Sequence, residues 1–407
     1  MPAPHHLGSR QVFPVRLSLS TAIAGAVLAF AGPEVESQQI TARTDSAGVE
    51  IVTSNPSLSD AVCTLGDEPT FRVGQDESNE ATWFSTIRGV RRLSDGAVAV
   101  VDRTSAEIRI FDADGRHVRS MGRRGEGPAE FRSAWKLWAL PGDTLWAGDY
   151  RPWRYNVFTR EGEWVGAVQM NPIYGNPSRR GGVLDNGVSI NTVERRPVPH
   201  DFRTPDTVVV EAHGPDGERL AVLGRILHTT YGPGGMYQLF TASAVVEAGG
   251  STIVLGRTTE PELRVLDEEL QLRRILRWPD TDRDVRGADV RAWRDDYIRS
   301  RGGRDSPNWR PSDENLVTDD VPAADEFPAF SSARIGRDGR VWVRPYRGPR
   351  GERVRWMGFE PDGEFLCHLE HSHSGLTLYE FGADYWLGVQ ADELGIETVV
   401  VFGLIVP

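Results

Sequence analysis

A tight turn followed by an alternating strand recurs along the chain, and this repeat restricts the fold more than any other sequence feature. The turns contain Asp-Gly, Gly-Asp, Asn-Gly or Gly-Gly pairs, which tolerate the positive φ angles of hairpin turns. The residues after each turn are mainly β-branched or aromatic, as strands prefer. The repeat occurs at residues 93–102, 140–149, 184–193, 247–256, 336–345 and 381–390.

A second repeat, composed of a strand, a turn and another strand, follows each of the first five copies. It occurs at residues 108–122, 155–169, 208–224, 263–276 and 354–369. Together the two repeats form a four-stranded antiparallel unit, which has two faces to cover and therefore stacks on copies of itself. Most intervals between successive turns match the length of one blade of a β-propeller.

The sixth unit lacks a fourth strand, because the chain ends after the strand at 395–407. Residues 68–74, EPTFRVG, resemble the fourth strand RHVRSMG at 116–122. An unpaired strand edge in a closed ring would be a liability, so we expect 68–74 to complete the last unit. A β-sandwich with irregular hairpins is the competing interpretation, but it does not explain why the missing strand lies near the other terminus.

The sequence therefore predicts an all-β fold, a six-bladed β-propeller whose ring is closed by an N-terminal strand. A partly helical insertion is expected at about 280–326. The predicted domain spans 48–407, with blades at about 84–124, 133–170, 179–226, 237–279, 329–372, and 375–404 plus 68–74.

The segment 87–131 resembles the NHL-repeat type of six-bladed β-propeller. It contains an Asp-Gly turn, a strand ending in Val-Asp, a strand ending in Phe-Asp and a Gly-Arg-x-Gly sequence. The following GEGPAEF is similar to the Gly-x-Gly-Pro-Gly-Glu-Phe motif of bacterial six-bladed propellers, with Ala129 in place of glycine. The resemblance is strong over 84–170 and 329–404 and weaker over 179–279. It implies a fold and not an activity.

Residues 1–31 have the features of an export signal, and 32–47 are expected to be a flexible segment. Arg10 and Arg16 precede an apolar run that ends in Ala-Phe-Ala before Gly32, a pattern typical of a cleavable signal peptide. We therefore expect an exported protein, periplasmic or extracellular, with no membrane span in the mature chain. The alternative is a protein tethered by an uncleaved N-terminal anchor.

Two insertions interrupt the repeats. Residues 194–206 are charged and rich in proline, which predicts a long loop between strands two and three of the third blade. Within the larger insertion at 280–326, the apolar residues of 287–301 have helical spacing, whereas 305–328 is acidic and broken by prolines. The insertion is interpreted either as a lid over a site or as a surface addition.

The charge composition restricts the class of ligand. A formal net charge of −12 argues against a nucleic-acid partner. Of the 46 basic residues only Lys136 is not arginine, a bias typical of a GC-rich genome. Arginine forks and aromatic rims nevertheless suit carboxylate, phosphate or sugar ligands. The candidate ligand-binding residues, in loops between second and third strands, are Arg103, Arg151, Trp153, Arg195, Arg257, Arg344, Tyr346 and Arg347; the crossover loops add Arg123, Arg124, Tyr174, Arg179 and Arg180.

Cysteine and histidine residues suggest two further features. Cys63 and Cys367 are the only cysteines, and an exported chain permits a disulfide between them, the alternative being two separate buried thiols. His371 and His373 are a weak candidate for a metal site, since histidines at i and i+2 can share a metal. The alternative is that they are ordinary polar residues at the end of an outer strand.

No catalytic motif such as G-x-S-x-G or H-E-x-x-H is present. The predicted inner strands contain no histidine and no carboxylate other than Glu380. We therefore predict no catalytic residues, no cofactor and a non-enzymatic binding or scaffolding propeller. Its loops at the channel mouth would hold a peptide, glycan, anion or partner protein. The alternative is a propeller-type hydrolase or lyase that acts on a small molecule or peptide.

Overall fold

The computed structural model describes residues 40–74, 76, 78–170, 177–195, 206–231, 237–348, 354–371, 375–392 and 394–407. Strands dominate these residues, as the repeats predict. The first three strands are β1 (Thr41–Ser46), β2 (Val49–Ser54) and β3 (Val62–Val73). Residues 41–46 therefore belong to a strand, which corrects the expectation that 32–47 is flexible throughout. Strands β1 and β2 form a hairpin around Ala47 and Gly48, which both have positive φ.

The first three repeats fold into separate four-stranded antiparallel sheets in which each strand pairs with the next along the chain. The first sheet comprises β4 (Ile87–Arg92), β5 (Val98–Asp102), β6 (Glu107–Phe111) and β7 (His117–Met121). Two short parallel strands, β8 (Arg123–Arg124) and β9 (Glu130–Phe131), lie in the crossover to the second sheet. The second and third sheets comprise β10 (Ala134–Leu140), β11 (Thr144–Asp149), β12 (Arg154–Phe158), β13 (Trp164–Gln169), β14 (Pro177–Val183), β15 (Ser189–Arg195), β16 (Asp206–His213) and β17 (Arg219–Thr229).

The remaining repeats form larger sheets because the N-terminal strands join them. The repeat strands are β18 (Ala244–Gly249), β19 (Thr252–Arg257), β20 (Glu262–Leu266), β21 (Leu272–Arg277), β22 (Phe330–Ile335), β23 (Val341–Pro345), β24 (Val354–Phe359), β25 (Phe365–His371), β26 (Leu376–Phe381), β27 (Tyr385–Ala391) and β28 (Glu397–Ile405). Strand β2 lies parallel to β21, so the β1–β2 hairpin extends the β18–β21 sheet to six strands.

Strand β3 joins the two ends of the described chain. Most of its length is antiparallel to β28, with Phe71 opposite Val401 and Val73 opposite Val399. Its first residues are parallel to β25, with Cys63 opposite Leu369. The pairing predicted for 68–74 with the last strand is therefore present, and β3 links β22–β25 and β26–β28 into one eight-stranded sheet.

Apolar strand faces pack between consecutive sheets and form the core. One cluster joins the first and second sheets and includes Ile108 and Leu137. Another cluster includes Phe111 and Val401, so the last repeat packs against the first. Each fully buried side chain of this size contributes about 1.5–3 kcal/mol to stability. Near the centre the backbones approach closely: a Cβ on Gly182 would lie 2.0 Å from the Ala248 carbonyl oxygen.

The insertion contains helix α1 (Gly287–Ser300) and the short helix α2 (Pro311–Glu314). The helix predicted at 287–301 is thus present. Its apolar side packs with Phe240, Phe327 and Tyr346 in one cluster, and the Tyr297 hydroxyl donates to Asp313 at 2.8 Å. No helix in the described part of the chain combines the length and the apolar character needed to cross a bilayer.

Candidate functional site

The first strand of five of the six repeats, all but β18, carries a β-bulge. A bulge inserts an extra residue and redirects its side chain relative to the alternating pattern. The register shifts lie between Ile87 and Gly89, Trp135 and Leu137, Ser178 and Gly181, Phe330 and Ser332, and Leu378 and Glu380. The residues inside the shifts include Arg88, Lys136, Arg180 and Tyr379, and all four line cavities of the structure.

A pocket lined by arginines lies between the first and second sheets, and we call it the arginine pocket. Its volume is about 470 Å³. It is formed by the starts of two inner strands, by two loops between second and third strands and by the crossover between the sheets. Its lining residues are Thr86, Arg88, Arg103, Thr104, Arg124, Arg132, Ser133 and Arg151. The set contains five guanidinium groups and three hydroxyl groups and no carboxylate.

Two buried aspartates fix the loops that carry these arginines. Asp102 accepts hydrogen bonds from the backbone amides of Ser85 at 3.1 Å and Thr104 at 2.8 Å. Asp149, at the matching position of the second sheet, accepts from the amides of Arg132 at 3.0 Å and Ser133 at 2.8 Å. Burial raises the pKa of the Asp149 carboxyl. The two carboxylates thus hold backbone rather than the guanidinium groups that line the pocket.

The guanidinium groups themselves are stacked or bonded to carbonyls. Arg88 and Arg103 lie over the Trp135 ring, at 5.2 and 5.7 Å from its centroid. Arg124 donates to the Thr104 carbonyl oxygen at 2.6 Å. Within the described residues, no carboxylate lies within 4 Å of the guanidinium nitrogens of Arg88, Arg103, Arg124 or Arg151. These cations therefore keep donors available to a ligand.

The charge around the pocket is positive even when neighbouring carboxylates are counted. Arg132 is paired with Glu126 at 3.3 Å, and Asp149 is paired with Arg154 at 3.6 Å. Glu397 accepts from the Ile87 amide and lies near Arg88, and burial raises its pKa. The five lining arginines and Arg154 outnumber the four nearby carboxylates by two; those carboxylates belong to Asp102, Glu126, Asp149 and Glu397.

A second cavity, which we call the central cavity, lies where the inner strands meet. Its volume is about 180 Å³, and it is lined by residues of β4, β10, β14, β18, β22 and β26. Its charged residues are Arg91, Lys136, Asp185, Glu247, Arg334, Arg337 and Glu380. Glu247 corrects the expectation that Glu380 is the sole inner carboxylate. The inner strand predicted in this repeat ended at Val246, one residue before it.

Two of the predicted ligand-binding residues, Arg103 and Arg151, lie together in the arginine pocket. Trp153 does not: it is buried in the core, with its ring 5.6 Å from that of His213. Arg257 lines a different cavity of about 250 Å³ and is 3.7 Å from Glu260. The side chain of Arg195 lies outside the described residues.

The three candidates that follow β23 lie away from the arginine pocket. Tyr346 packs against Phe327 beneath the insertion, with ring centroids 5.5 Å apart, and burial raises its pKa to about 12. Arg347 is 3.6 Å from Glu370. Burial, together with the neighbouring Arg347 and an inner-strand arginine, lowers the pKa of Arg344. Tyr346 is committed to packing and Arg347 to an ion pair, and none of the three lines a common pocket with Arg103.

Among the crossover candidates whose side chains the structure describes, only Arg124 lines the arginine pocket. Arg123 is paired with Glu130 at 2.8 Å, and Arg180 is 3.2 Å from the His228 ring nitrogen. Tyr174 and the side chain of Arg179 lie outside the described residues. Arg88 was missed because it lies inside β4, where a bulge after Ile87 redirects it, and Arg132 because it lies in the short segment between β9 and β10.

Cys63 and Cys367 form a disulfide, with their Cα atoms 5.6 Å apart. Both residues are fully buried beside Trp342 and Trp386. His371 is also buried and lies edge-on to Trp386, with ring centroids 4.4 Å apart, while His373 lies outside the described residues. In the part of the chain that the structure describes, no group of three or more His, Cys, Asp and Glu residues could hold a metal.

No protein-family model matches the chain, and no curated protein matches its sequence. Three solved structures illustrate its likeness to known folds. A member of the DUF4221 family from Bacteroides vulgatus is 10% identical, with a TM-score of 0.49 over 86% of this chain and 100% of that one. A calcium-binding protein, regucalcin, from Agrobacterium tumefaciens is 10% identical, with a TM-score of 0.40 over 85% and 97%. Virginiamycin B lyase from Staphylococcus aureus is 10% identical, with a TM-score of 0.37 over 81% and 87%.

Proposed function

We propose that this chain is an exported six-bladed β-propeller of the NHL-repeat type that binds a small, multiply charged anion in the arginine pocket. The arginine pocket is the observation that carries the proposal. The sheet order, the closure by β3 and the central cavity support the six-bladed ring. The signal-like composition of residues 1–31 supports export.

The chemistry of the pocket favours carboxylate or phosphate groups over neutral ligands. Guanidinium groups bind such anions through paired, charge-assisted hydrogen bonds. Thr86, Thr104 and Ser133 add hydroxyl donors to the same pocket. A volume of about 470 Å³ lies within the range of small-molecule sites. The ligand is therefore expected to be a compact organic anion rather than a single bare ion.

The charge arrangement also gives the pocket selectivity within an acidic protein. The chain carries a net charge of −12, which repels anions at long range. The local excess of two positive charges attracts them only where the arginines converge, and salt screens both effects over about 8–10 Å. Binding is therefore expected to weaken as ionic strength rises.

Isothermal titration calorimetry with citrate, inorganic phosphate and sulfate, at constant ionic strength, tests the proposal. Citrate is expected to bind most tightly because it presents three carboxylates to several guanidinium groups. Replacement of Arg103 and Arg151 by glutamine is expected to reduce citrate affinity by about tenfold or more per residue, since hydrogen bonds to charged groups contribute roughly 1.5–3 kcal/mol.

The matched control is Arg291→Gln. Arg291 is exposed on α1, so this variant changes the net charge equally without touching the pocket. It should bind citrate like the unmodified protein. Equal loss of affinity in Arg291→Gln and Arg151→Gln would show that binding follows net charge, and the pocket would lose its proposed role. Absence of citrate binding to the unmodified protein would refute the proposal directly.

A further inference from the structure

The central cavity contains the only lysine of a chain that uses arginine at its other 45 basic positions. Lys136 lies in the bulge of β10, between Trp135 and Leu137, and its φ angle is 60°. Non-glycine residues rarely adopt such positive φ values, and they persist where the surrounding structure holds them. The bulge therefore presents Lys136 to the cavity at a small conformational cost.

The amine of Lys136 has few partners of its own. Its Nζ donates to the Gly181 carbonyl oxygen at 3.2 Å and lies 5.7 Å from the centroid of the Trp138 ring. Within the described residues, no carboxylate lies within 4 Å of Nζ. Glu247 has the largest electrostatic effect on Lys136 of the acids around it. It is already hydrogen-bonded to Arg334 at 2.5 Å. No described acid therefore holds the lysine in an ion pair.

The cations and acids that surround Lys136 come from several strands. Burial lowers the pKa of the amine to about 8; Glu247 opposes the shift, and Arg334, Arg91 and Arg180 add to it. Glu380 from β26 is paired with Arg91 at 3.4 Å. With a pKa near 8, roughly a tenth of the amine is neutral at pH 7, against less than about a thousandth for an ordinary lysine.

Arg337 gives the cavity an anchor for an anionic group. It lines the same cavity and donates to the Ala139 carbonyl oxygen at 2.7 Å, on the strand that carries Lys136. Within the described residues, no carboxylate lies within 4 Å of its guanidinium nitrogens. Asp185 and Gly250 at the rim are exposed, so a small solute can enter from that face. A volume of about 180 Å³ equals roughly six water molecules.

We propose that the central cavity binds a small 2-oxo acid, with its carboxylate on Arg337, and that the Lys136 amine forms an imine with its carbonyl carbon. The neutral nitrogen forms a bond to the carbonyl carbon and gives a carbinolamine. The carbonyl oxygen then leaves as water, which carries the two protons that the nitrogen held. An arginine could not take this role, because it does not deprotonate in proteins. The site is separate from the arginine pocket and does not depend on it.

The test uses the full chain with pyruvate and sodium cyanoborohydride, followed by peptide mass spectrometry. We expect the Lys136 peptide to gain pyruvate plus two hydrogens less one water. The α-amine of the same molecule serves as the internal reference for intrinsic reactivity. The ratio of Lys136 to α-amine labelling is expected to be about tenfold higher or more with pyruvate than with acetone, because acetone lacks the carboxylate that Arg337 would bind.

Two variants and one spectroscopic measurement separate chemistry from folding. Arg337→Gln should reduce the pyruvate ratio to the acetone ratio, and Arg291→Gln should leave it unchanged. Because the chain has one lysine, ¹³C-lysine labelling gives a single ε-carbon signal that should titrate near pH 8. Three results with the unmodified protein would each overturn the proposal. They are labelling confined to the α-amine, equal Lys136 to α-amine labelling ratios for pyruvate and acetone, and titration of the Lys136 ε-carbon signal near the ordinary lysine value.

Discussion

Reduction of the Cys63–Cys367 disulfide is expected to destabilise the whole fold. The bond ties β3, the strand that pairs with β28 near the end of the chain, to β25. Cys63 is on β3, which pairs with β28 along most of its length. The register of β3 with β25 covers only Val62 and Cys63. The disulfide therefore supplies much of the connection between β3 and the β22–β25 sheet. Its loss leaves β3 attached mainly to the last strand.

The size of the effect follows from the loop that the bond closes. The two cysteines are separated by 304 positions in the sequence. Loop-closure entropy for a ring of that length corresponds to about 5–6 kcal/mol at 25 °C, although measured losses for native disulfides are usually about 2–5 kcal/mol. We expect a decrease in the free energy of unfolding of about 3–5 kcal/mol.

Guanidinium chloride unfolding with and without dithiothreitol measures this difference. The sulfurs are fully buried, so the reduced sample should be prepared in denaturant and refolded. The slope m should rise on reduction, because an unfolded chain without the cross-link exposes more surface. The double variant Cys63→Ala, Cys367→Ala is the control: its unfolding should not respond to dithiothreitol. Identical midpoints for oxidised and reduced protein would refute the reasoning, as would an equal response of the variant.

Two further predictions concern single positions. Gly122→Ala should lower the free energy of unfolding by about 2–4 kcal/mol, because its φ is +83° and the new Cβ would lie 2.6 Å from the Phe131 ring. The control is Gly142→Ala, whose φ is +76° and whose new Cβ would have no atom within 4 Å. In the same denaturation assay this variant should lose only the stability that the unfavourable backbone conformation costs. Burial lowers the pKa of His213 from 6.5 to about 4, so between these values the unfolded chain binds a proton that the folded chain does not. Stability should be complete above pH 6.5 and fall by up to about 3 kcal/mol toward pH 4, and His213→Gln should flatten this part of the pH profile.

The strand pairs that follow one another along the chain could be predicted from sequence because their turns are local. An Asp-Gly turn and the alternation beside it specify a hairpin without reference to the rest of the molecule. The pairing of 68–74 with β28 is not local, yet it could be inferred from a missing strand and a matching segment. The β1–β2 hairpin could not, because nothing in the polar segment 41–54 indicates that β2 adds in parallel to β21.

The candidate sites were harder to predict than the fold, because they depend on bulges and on which sheets are neighbours. Strict alternation places side chains correctly only until a register shift, and shifts occur at Arg88 and Lys136. Loop position suggested a common rim for Arg103 and Tyr346. Tyr346 instead packs on Phe327 and Phe240, and it does not line the arginine pocket. Arg103 and Arg151 line the same pocket because of how the first two sheets pack against each other, and the sequence alone does not show that packing.

The amino-acid composition is informative at one basic position, Lys136, because every other basic residue is arginine. Where nearly every basic position is arginine, a single arginine in the sequence says little about function, and only the convergence of several in the structure does. The same bias makes a lysine informative, because the chain otherwise places arginine where a positive charge is sufficient. Lys136 occupies a bulge in the central cavity, where an amine offers what a guanidinium lacks, namely a neutral form near physiological pH. The exception to the composition therefore points to chemistry at that nitrogen.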